Sequence, residues 1–241
     1  MKIALIGYGK MGKTIERIAL SRGHEIVLKI GRENLDTFTA EAIKQADAAI
    51  EFTQPEAALE NVSKCLKAGV PVVCGTTGWN EDVPKAEALC AEYNTAMIQS
   101  SNFSLGVNIF FAVNKYLAQL MDKQDAYNVL VEETHHLQKL DAPSGTAITI
   151  AEQIIQQLSR KDKWAKETES NPAELAIKAY REPEVPGTHV VTYHSEIDDI
   201  EIRHTAHTRD GFALGSVLAA EFLKGRQGVF SMQDVLFPDK A

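Results

Sequence analysis

Lys2-Ile3-Ala4-Leu5-Ile6-Gly7-Tyr8-Gly9-Lys10-Met11-Gly12 is an apolar run that passes directly into G-x-G-x-x-G. Such a glycine pattern carries weight only between a strand and a helix. Here a helical stripe of Ile15, Ile18 and Ala19 follows, with Gly23 as its stop. In that setting Gly7 permits the tight turn, Gly9 lets the main chain approach a pyrophosphate, and Gly12 lets helix pack on strand. The stretch predicts a dinucleotide-binding βαβ unit at the head of an open parallel sheet.

Downstream the alternation repeats. Glu25–Ile30 reads as the second strand and ends at Gly31-Arg32-Glu33. Arg32 could hold a 2′-phosphate or stack on an adenine, and Glu33 could accept from a ribose; a solvated charged turn is the alternative for both. A short helix is expected over Thr39–Ala46 and a strand over Ala48–Phe52. A helix from Pro55 to about Ala68 follows, closed by Gly69. The strand Val70–Cys74 leads into Gly75-Thr76-Thr77-Gly78-Trp79, a loop placed at the ligand end of such a sheet. A helix over Val83–Tyr93 and a strand over Ala96–Gln99 end in Ser100-Ser101-Asn102-Phe103. Strands alternating with helices predict a Rossmann-type, doubly wound α/β sheet.

Beyond this point the pattern changes. Gly106–Asp122 is a long amphipathic helix, and three strand candidates cluster without helices at Ala176–Arg181, His189–His194 and Asp199–Ala206. This predicts a second, α+β domain with a mixed or antiparallel sheet. The charged segment Arg160–Asn171 reads as exposed, and Phe212–Lys224 as a helix returning to the first domain. The expected division is residues 1–105 with 210–241 for the dinucleotide and 106–209 for substrate and oligomerisation. Glycines near both crossovers could act as hinges.

The second domain contains the most chemically loaded stretch, Val131-Glu132-Glu133-Thr134-His135-His136-Leu137-Gln138-Lys139-Leu140-Asp141-Ala142-Pro143-Ser144-Gly145-Thr146-Ala147. A strand core at Val129–Val131 precedes it, and Pro143 breaks the chain before a helix from Thr146 to about Leu158. Ser144 is a natural N-cap, and the N–H groups of Gly145 and Thr146 belong to a helix start that favours anions. With His135, His136 and Lys139 as cations, the stretch suits a small substrate with more than one carboxylate. A histidine and a lysine are also apt acids for protonating the product of hydride addition to a conjugated imine. Asp141 is expected to bond local backbone. Glu132 and Glu133 sit close to the strand body, and His204 and His207 read as structural. Arg209 is the better outside candidate for ligand charge. A metal site is not expected, because adjacent histidines on a strand face opposite ways and no third ligand is evident.

Composition narrows the function classes. The 241 residues carry 44% hydrophobic and 24% charged residues with a net charge of −8, which argues against nucleic-acid or anionic-membrane partners. No apolar run has membrane-spanning length, and a strand follows Met1 without a signal-peptide layout. Cys65, Cys74 and Cys90 have neither metal spacing nor an even count, so a reducing, cytoplasmic setting is expected.

Four stretches together resemble the 4-hydroxy-tetrahydrodipicolinate (dihydrodipicolinate) reductase family: Gly7–Gly12, Gly75–Gly78, Ser101–Asn108, and above all Glu133–Ala147 with its H-H-x-x-K-x-D-A-P-S-G-T-A pattern. Weaker likeness extends through Gly211–Ser216 and Gly228–Leu236. The resemblance implies a tetrameric, cytoplasmic enzyme of lysine and diaminopimelate biosynthesis that reduces a cyclic imine dicarboxylate with NADPH or NADH. It implies His135 as proton donor and acceptor and Lys139 as second donor, with His136, Ser144, Gly145 and Thr146 at the substrate carboxylates. It puts nucleotide contacts at Gly7, Tyr8, Gly9, Lys10, Met11 and Gly12, at Gly75, Thr76 and Thr77, and at Ser100, Ser101, Asn102 and Phe103. The mixed sheet would form the subunit interface. Two departures bear on the cofactor. The phosphate turn is one residue shorter than the family's common form, and Gly31 stands where an acidic residue is usual, with Arg32 retained. Arg32 beside Gly31 predicts that NADPH is used at least as well as NADH. Rival readings are another Rossmann amino-acid dehydrogenase and a non-catalytic nucleotide sensor.

Overall fold

The computed structural model describes residues 1–168 and 170–238. The chain divides into two compact units, Met1–Leu105 with the chain from Asp210 on, and Gly106–Arg209.

The first unit contains six strands: β1 (Lys2–Ile6), β2 (Glu25–Ile30), β3 (Ala48–Glu51), β4 (Val72–Cys74), β5 (Ala96–Gln99) and β11 (Gly228–Phe230). They form one parallel sheet in the order β11-β5-β4-β3-β1-β2. Its helices are α1 (Lys10–Ser21), α2 (Ala40–Ile43), α3 (Pro55–Lys67), α4 (Val83–Glu92), α7 (Asp210–Leu223) and α8 (Met232–Leu236). Successive side chains of a strand point to opposite faces, so β1 feeds two cores. Ala4 and Ile6 pack with Val62 and Leu66 of α3, whereas Ile3 and Leu5 pack with Ile15 and Ile18 of α1 and Val217 and Ala220 of α7. This is the doubly wound arrangement that the sequence predicts. β2 pairs on one side of β1 and β3 on the other, so the strand order reverses between them and opens a crevice at their carboxyl ends.

The second unit holds α5 (Leu105–Met121), β6 (Asn128–His135), α6 (Gly145–Ile155), β7 (Lys163–Lys166), β8 (Glu174–Arg181), β9 (Gly187–His194) and β10 (Asp199–Ala206). The sheet order is β10-β9-β6-β8-β7, antiparallel across β10, β9 and β6 and parallel across β6, β8 and β7. Val129 and Val131 of β6 pack with Ile150 and Ile154 of α6 and with Phe110 and Ala118 of α5.

Two expectations need correction. The segment Arg160–Asn171 is mostly exposed, as read, but it also contains the unexpected β7 and a buried Lys161; Glu169 within it lies outside the described residues. β7 is paired on one side only, and such an edge strand needs no apolar run to form. The tail, for which the sequence predicts no element, supplies β11 and α8. α8 is closed by a Ser231/Asp234 capping box. No helix among the described residues is long and apolar enough to cross a membrane. Cys65, Cys74 and Cys90 are all buried and free.

Candidate functional site

The crevice at the carboxyl ends of β1 and β3 is a cleft of about 950 Å³ whose wall includes Gly7, Tyr8, Gly9, Gly31, Arg32, Glu33, Phe52 and Thr53. Gly7 has φ +97°, and a Cβ there would lie 1.9 Å from the Phe52 carbonyl oxygen, so only glycine makes this turn. A Cβ at Gly12 would lie 2.3 Å from the Gly7 carbonyl oxygen, which is the close helix–strand packing the motif predicts. Around Gly9 the space is open. Gly9 caps α1 without a side chain, leaving the helix start to an outside anion. An open glycine turn before an uncapped helix, beside a cleft with Lys29 and Arg32 in its wall, fits a dinucleotide.

The expected nucleotide residues divide into groups. Gly7, Tyr8, Gly9 and Arg32 line the cleft, while Lys10, Met11 and Gly12 form the first turn of α1. Gly75, Thr76 and Thr77 follow β4, and Ser100, Ser101, Asn102 and Phe103 follow β5, outside the cleft wall. Two of these support the fold directly. The Thr76 hydroxyl accepts from the Thr53 N–H at 2.8 Å, and Phe103 is buried against Phe52. Tyr8 donates to Glu16, and the Lys29 ammonium lies 5.2 Å from its ring centre, which fixes that part of the wall. Asn34 shapes the turn below Arg32 by accepting from the Gly31 N–H at 2.7 Å and donating to the Lys29 carbonyl at 2.8 Å.

In the second unit, β6 presents Val129, Val131, Glu133 and His135 on its buried face. The apolar row thus turns ionic as the strand leaves the sheet. Register supplies partners from both neighbours: Glu133 faces His189 on β9, and His135 faces Arg181 on β8. The Glu133 carboxylate is the hub. It accepts from the Ser144 N–H at 3.0 Å and lies 3.3 Å from the Arg181 guanidinium, 3.2 Å from His135 Nδ1 and 3.8 Å from His189 Nε2. Burial alone would push its pKa up, but the His135 ring and the Ser144 contacts outweigh this and hold it down at about 2. His189 is pushed down to about 3, first by burial and then by the charge of His135, so it is neutral at physiological pH.

Arg181 also ties down the loop after β6, donating to the carbonyls of Asp141 at 2.6 Å and Lys139 at 3.3 Å. Asp141 pairs with the Lys139 ammonium at 2.8 Å, and its carboxylate also takes the expected local hydrogen bond, from its own main chain. With side chains 23% and 57% exposed, such a pair is worth about 0–1 kcal/mol. The ammonium can exchange Asp141 for another carboxylate at little cost. Ser144 is buried and caps α6, its hydroxyl accepting from the Ala147 N–H at 3.2 Å and lying 3.3 Å from His189 Nε2. Its hydroxyl is thereby occupied, and the exposed Gly145 and adjoining Thr146 form the accessible helix start. His136, just past the end of β6, is half-buried. His204 stacks edge-on to Phe110 as a structural residue, and His207 and Arg209 are exposed.

Glu133, His135 and His189 bring one ligand atom each within 4.8 Å of one another, a third candidate ligand that the sequence did not reveal. The Arg181 guanidinium already balances the Glu133 charge, which disfavours a divalent cation there. Glu133, Arg181, His189 and Gly187 are the site residues missed from sequence. The two-residue period of β6 could have joined Glu133 to His135; nothing local points to the other three.

Comparisons with known proteins agree along the chain. The family models "Dihydrodipicolinate reductase, N-terminus" and "Dihydrodipicolinate reductase, C-terminus" match residues 1–103 and 106–236. A curated 4-hydroxy-tetrahydrodipicolinate reductase from Christiangramia forsetii is 52% identical, covering 98% of each chain. One from Methanopyrus kandleri is 37% identical over 92% of this chain and 84% of its own. The solved structure of a dipicolinate-bound dihydrodipicolinate reductase from Paenisporosarcina sp. TG-14 superposes with a TM-score of 0.77 at 22% identity, covering 97% of this chain and 98% of that one, a likeness of fold. With both family models matched and close relatives covered nearly end to end, the chain belongs to the dihydrodipicolinate reductase family.

Proposed function

We propose that this protein reduces 4-hydroxy-tetrahydrodipicolinate to tetrahydrodipicolinate, releasing water, at the expense of NADPH or NADH. The observation that carries the reading is the joining of strand end and helix start. Ser144, the cap of α6, donates to Glu133, two residues before His135, so the histidines, the Lys139 loop and the Gly145–Thr146 helix end form one cationic receptor. A cyclic dicarboxylate suits it, and the dipicolinate in the Paenisporosarcina enzyme is such a molecule. In this reading His136, Gly145 and Thr146 hold carboxylate oxygens, Lys139 leaves Asp141 to join them, and Ser144 keeps the helix start in place.

The nucleotide supplies a hydride when bound. His135 gives its proton to the reduced ring and recovers one from solvent, with Lys139 as the second donor. Residues 1–105 with 210–241 carry the nucleotide at Gly7–Gly12, Gly75–Thr77 and the main chain of Ser100–Phe103. Residues 106–209 carry substrate and the contacts of a homotetramer in the cytoplasm. Arg32 in the cleft wall supports use of NADPH. The test is oxidation of NADPH and NADH, followed separately, with substrate made freshly by the preceding synthase. Turnover is expected with NADPH at least as fast as with NADH, and no turnover with either would refute the assignment.

A further inference from the structure

We infer that Glu133 is a positioning residue for the proton-transfer step, fixing the ring of His135 so that Nδ1 keeps its hydrogen and Nε2 is the nitrogen that gives and takes the catalytic proton. The inference rests on the proposed reductase activity. A carboxylate that is 1% exposed would be costly if unmatched, and its two oxygens are satisfied differently. Oε1 takes the Ser144 N–H at 3.0 Å and the Arg181 guanidinium at 3.3 Å. Oε2 has neither, and its near neighbours are His135 Nδ1 at 3.2 Å and His189 Nε2 at 3.8 Å. The second of these is closer to the Ser144 hydroxyl, at 3.3 Å. Oε2 is therefore left to His135.

His135 Nδ1 is buried and has no alternative acceptor, so a hydrogen on it can face only Glu133. The contact is at ion-pair distance and off the in-line hydrogen-bond direction, as is common for catalytic pairs before substrate tightens them. The other ring nitrogen lies along β9 at Gly187, where the missing side chain leaves it room: a Cβ there would stand 3.0 Å from Nε2. In the step itself the Nε2–H bond breaks, the proton bonds to the reduced substrate, and the ring is left neutral with its hydrogen on Nδ1. Glu133 stays ionised throughout, because Arg181 and the Ser144 N–H hold its charge. The same carboxylate thus couples the proton donor to the helix end that holds substrate.

Glu133→Gln keeps the shape and removes the charge. It is expected to lower kcat on the order of 10²-fold, the cost of a misplaced catalytic group, with KM for substrate and nucleotide near wild type. Nitrogen-15 spectra of the histidine rings, assigned with His135→Gln, should show neutral His135 protonated on Nδ1 in the wild type and shifted toward Nε2 in Glu133→Gln. A merely structural role would not move that signature. Wild-type kcat in the variant, or a wild-type ring protonated on Nε2, overturns the inference. Should Glu133→Gln not fold, Glu133→Asp keeps the charge for Arg181, retracts the oxygen from Nδ1, and is expected to shift both readouts the same way. The tautomer is read without turnover, so an inactive wild type with the Glu133-dependent tautomer would sink the reductase reading alone.

Discussion

Among single residues, His135 and Arg32 test the proposed reaction most directly. Replacing His135 by Gln removes the proposed proton donor and keeps a side chain of similar reach. kcat should fall by roughly 10²–10⁴-fold, the range for a lost general acid; steady-state rates at saturating substrate check it, and a wild-type kcat/KM would remove His135 from that role. Arg32 is exposed in the cleft wall. Arg32→Ala should raise KM for NADPH and leave KM for NADH nearly unchanged, because only the former carries a 2′-phosphate for the guanidinium to meet. Equal effects on both would mean that Arg32 stacks on the adenine they share. Both stand out in the sequence by side-chain chemistry and local setting, whereas the residues they meet in space, Arg181 and Gly187 at His135 and Gly7–Gly9 near Arg32, lie far along the chain. Asp141 shows the limit: its local backbone bond was readable, whereas its pairing with Lys139, two residues away, depends on a loop path held by Arg181.

At the level of elements, β6 organises the site. Its burial alternation continues past the apolar Val129 and Val131 to Glu133 and His135, and β8 and β9 bring Arg181 and His189 to that row. Gly187 begins β9 beside the His135 ring. In Gly187→Ala the new Cβ would stand 3.0 Å from Nε2, tight enough that the ring must shift. Its backbone is not in the left-handed region, so the chain itself accepts alanine. The variant should melt near the wild-type temperature while kcat drops by about tenfold or more, since small misplacements of a catalytic group cost this much. Calorimetry and steady-state kinetics on one preparation decide it; unchanged kcat would mean that the ring yields without consequence. Elements with internal signals were read closely: β2, β5 and β10 have the expected ends, and Gly69 stops α3. β7 and β11 were missed because short or edge strands draw their stability from partners far along the chain, not from a local pattern.

For the molecule as a whole, the buried ionic row makes stability depend on pH. Glu133 is held at about 2 against an ordinary 4.5, and His189 at about 3 against 6.5. Both are depressed in the folded protein, so the unfolded chain binds more protons across both windows and stability rises with pH there. The His189 contribution is present above about 6.5 and lost as pH falls toward 3; that of Glu133 is present above about 4.5 and lost toward 2. The melting temperature should therefore decline from pH 6.5 downward, with a shallower decline in His189→Gln between pH 6 and about 4, within the window set by that shift. Parallel melting curves across that range would mean that burial of His189 is not coupled to folding.

The sequence by itself determined the class of both units, the glycine turn at the head of the first sheet, and the cationic stretch from His135 to Thr146. Each of these is local: hydrophobic period, turn chemistry and helix capping act over a few residues, and the chain order records them. Only the tertiary structure decided that Glu133 is buried at the centre of that stretch, that Arg181 and His189 are its partners, and that Gly187 makes room for the His135 ring. Those facts follow from strand register, which places His135 beside Arg181, 46 positions on, and Glu133 beside His189, 56 positions on. Register is set by how whole faces pack, not by any neighbouring residue in the chain.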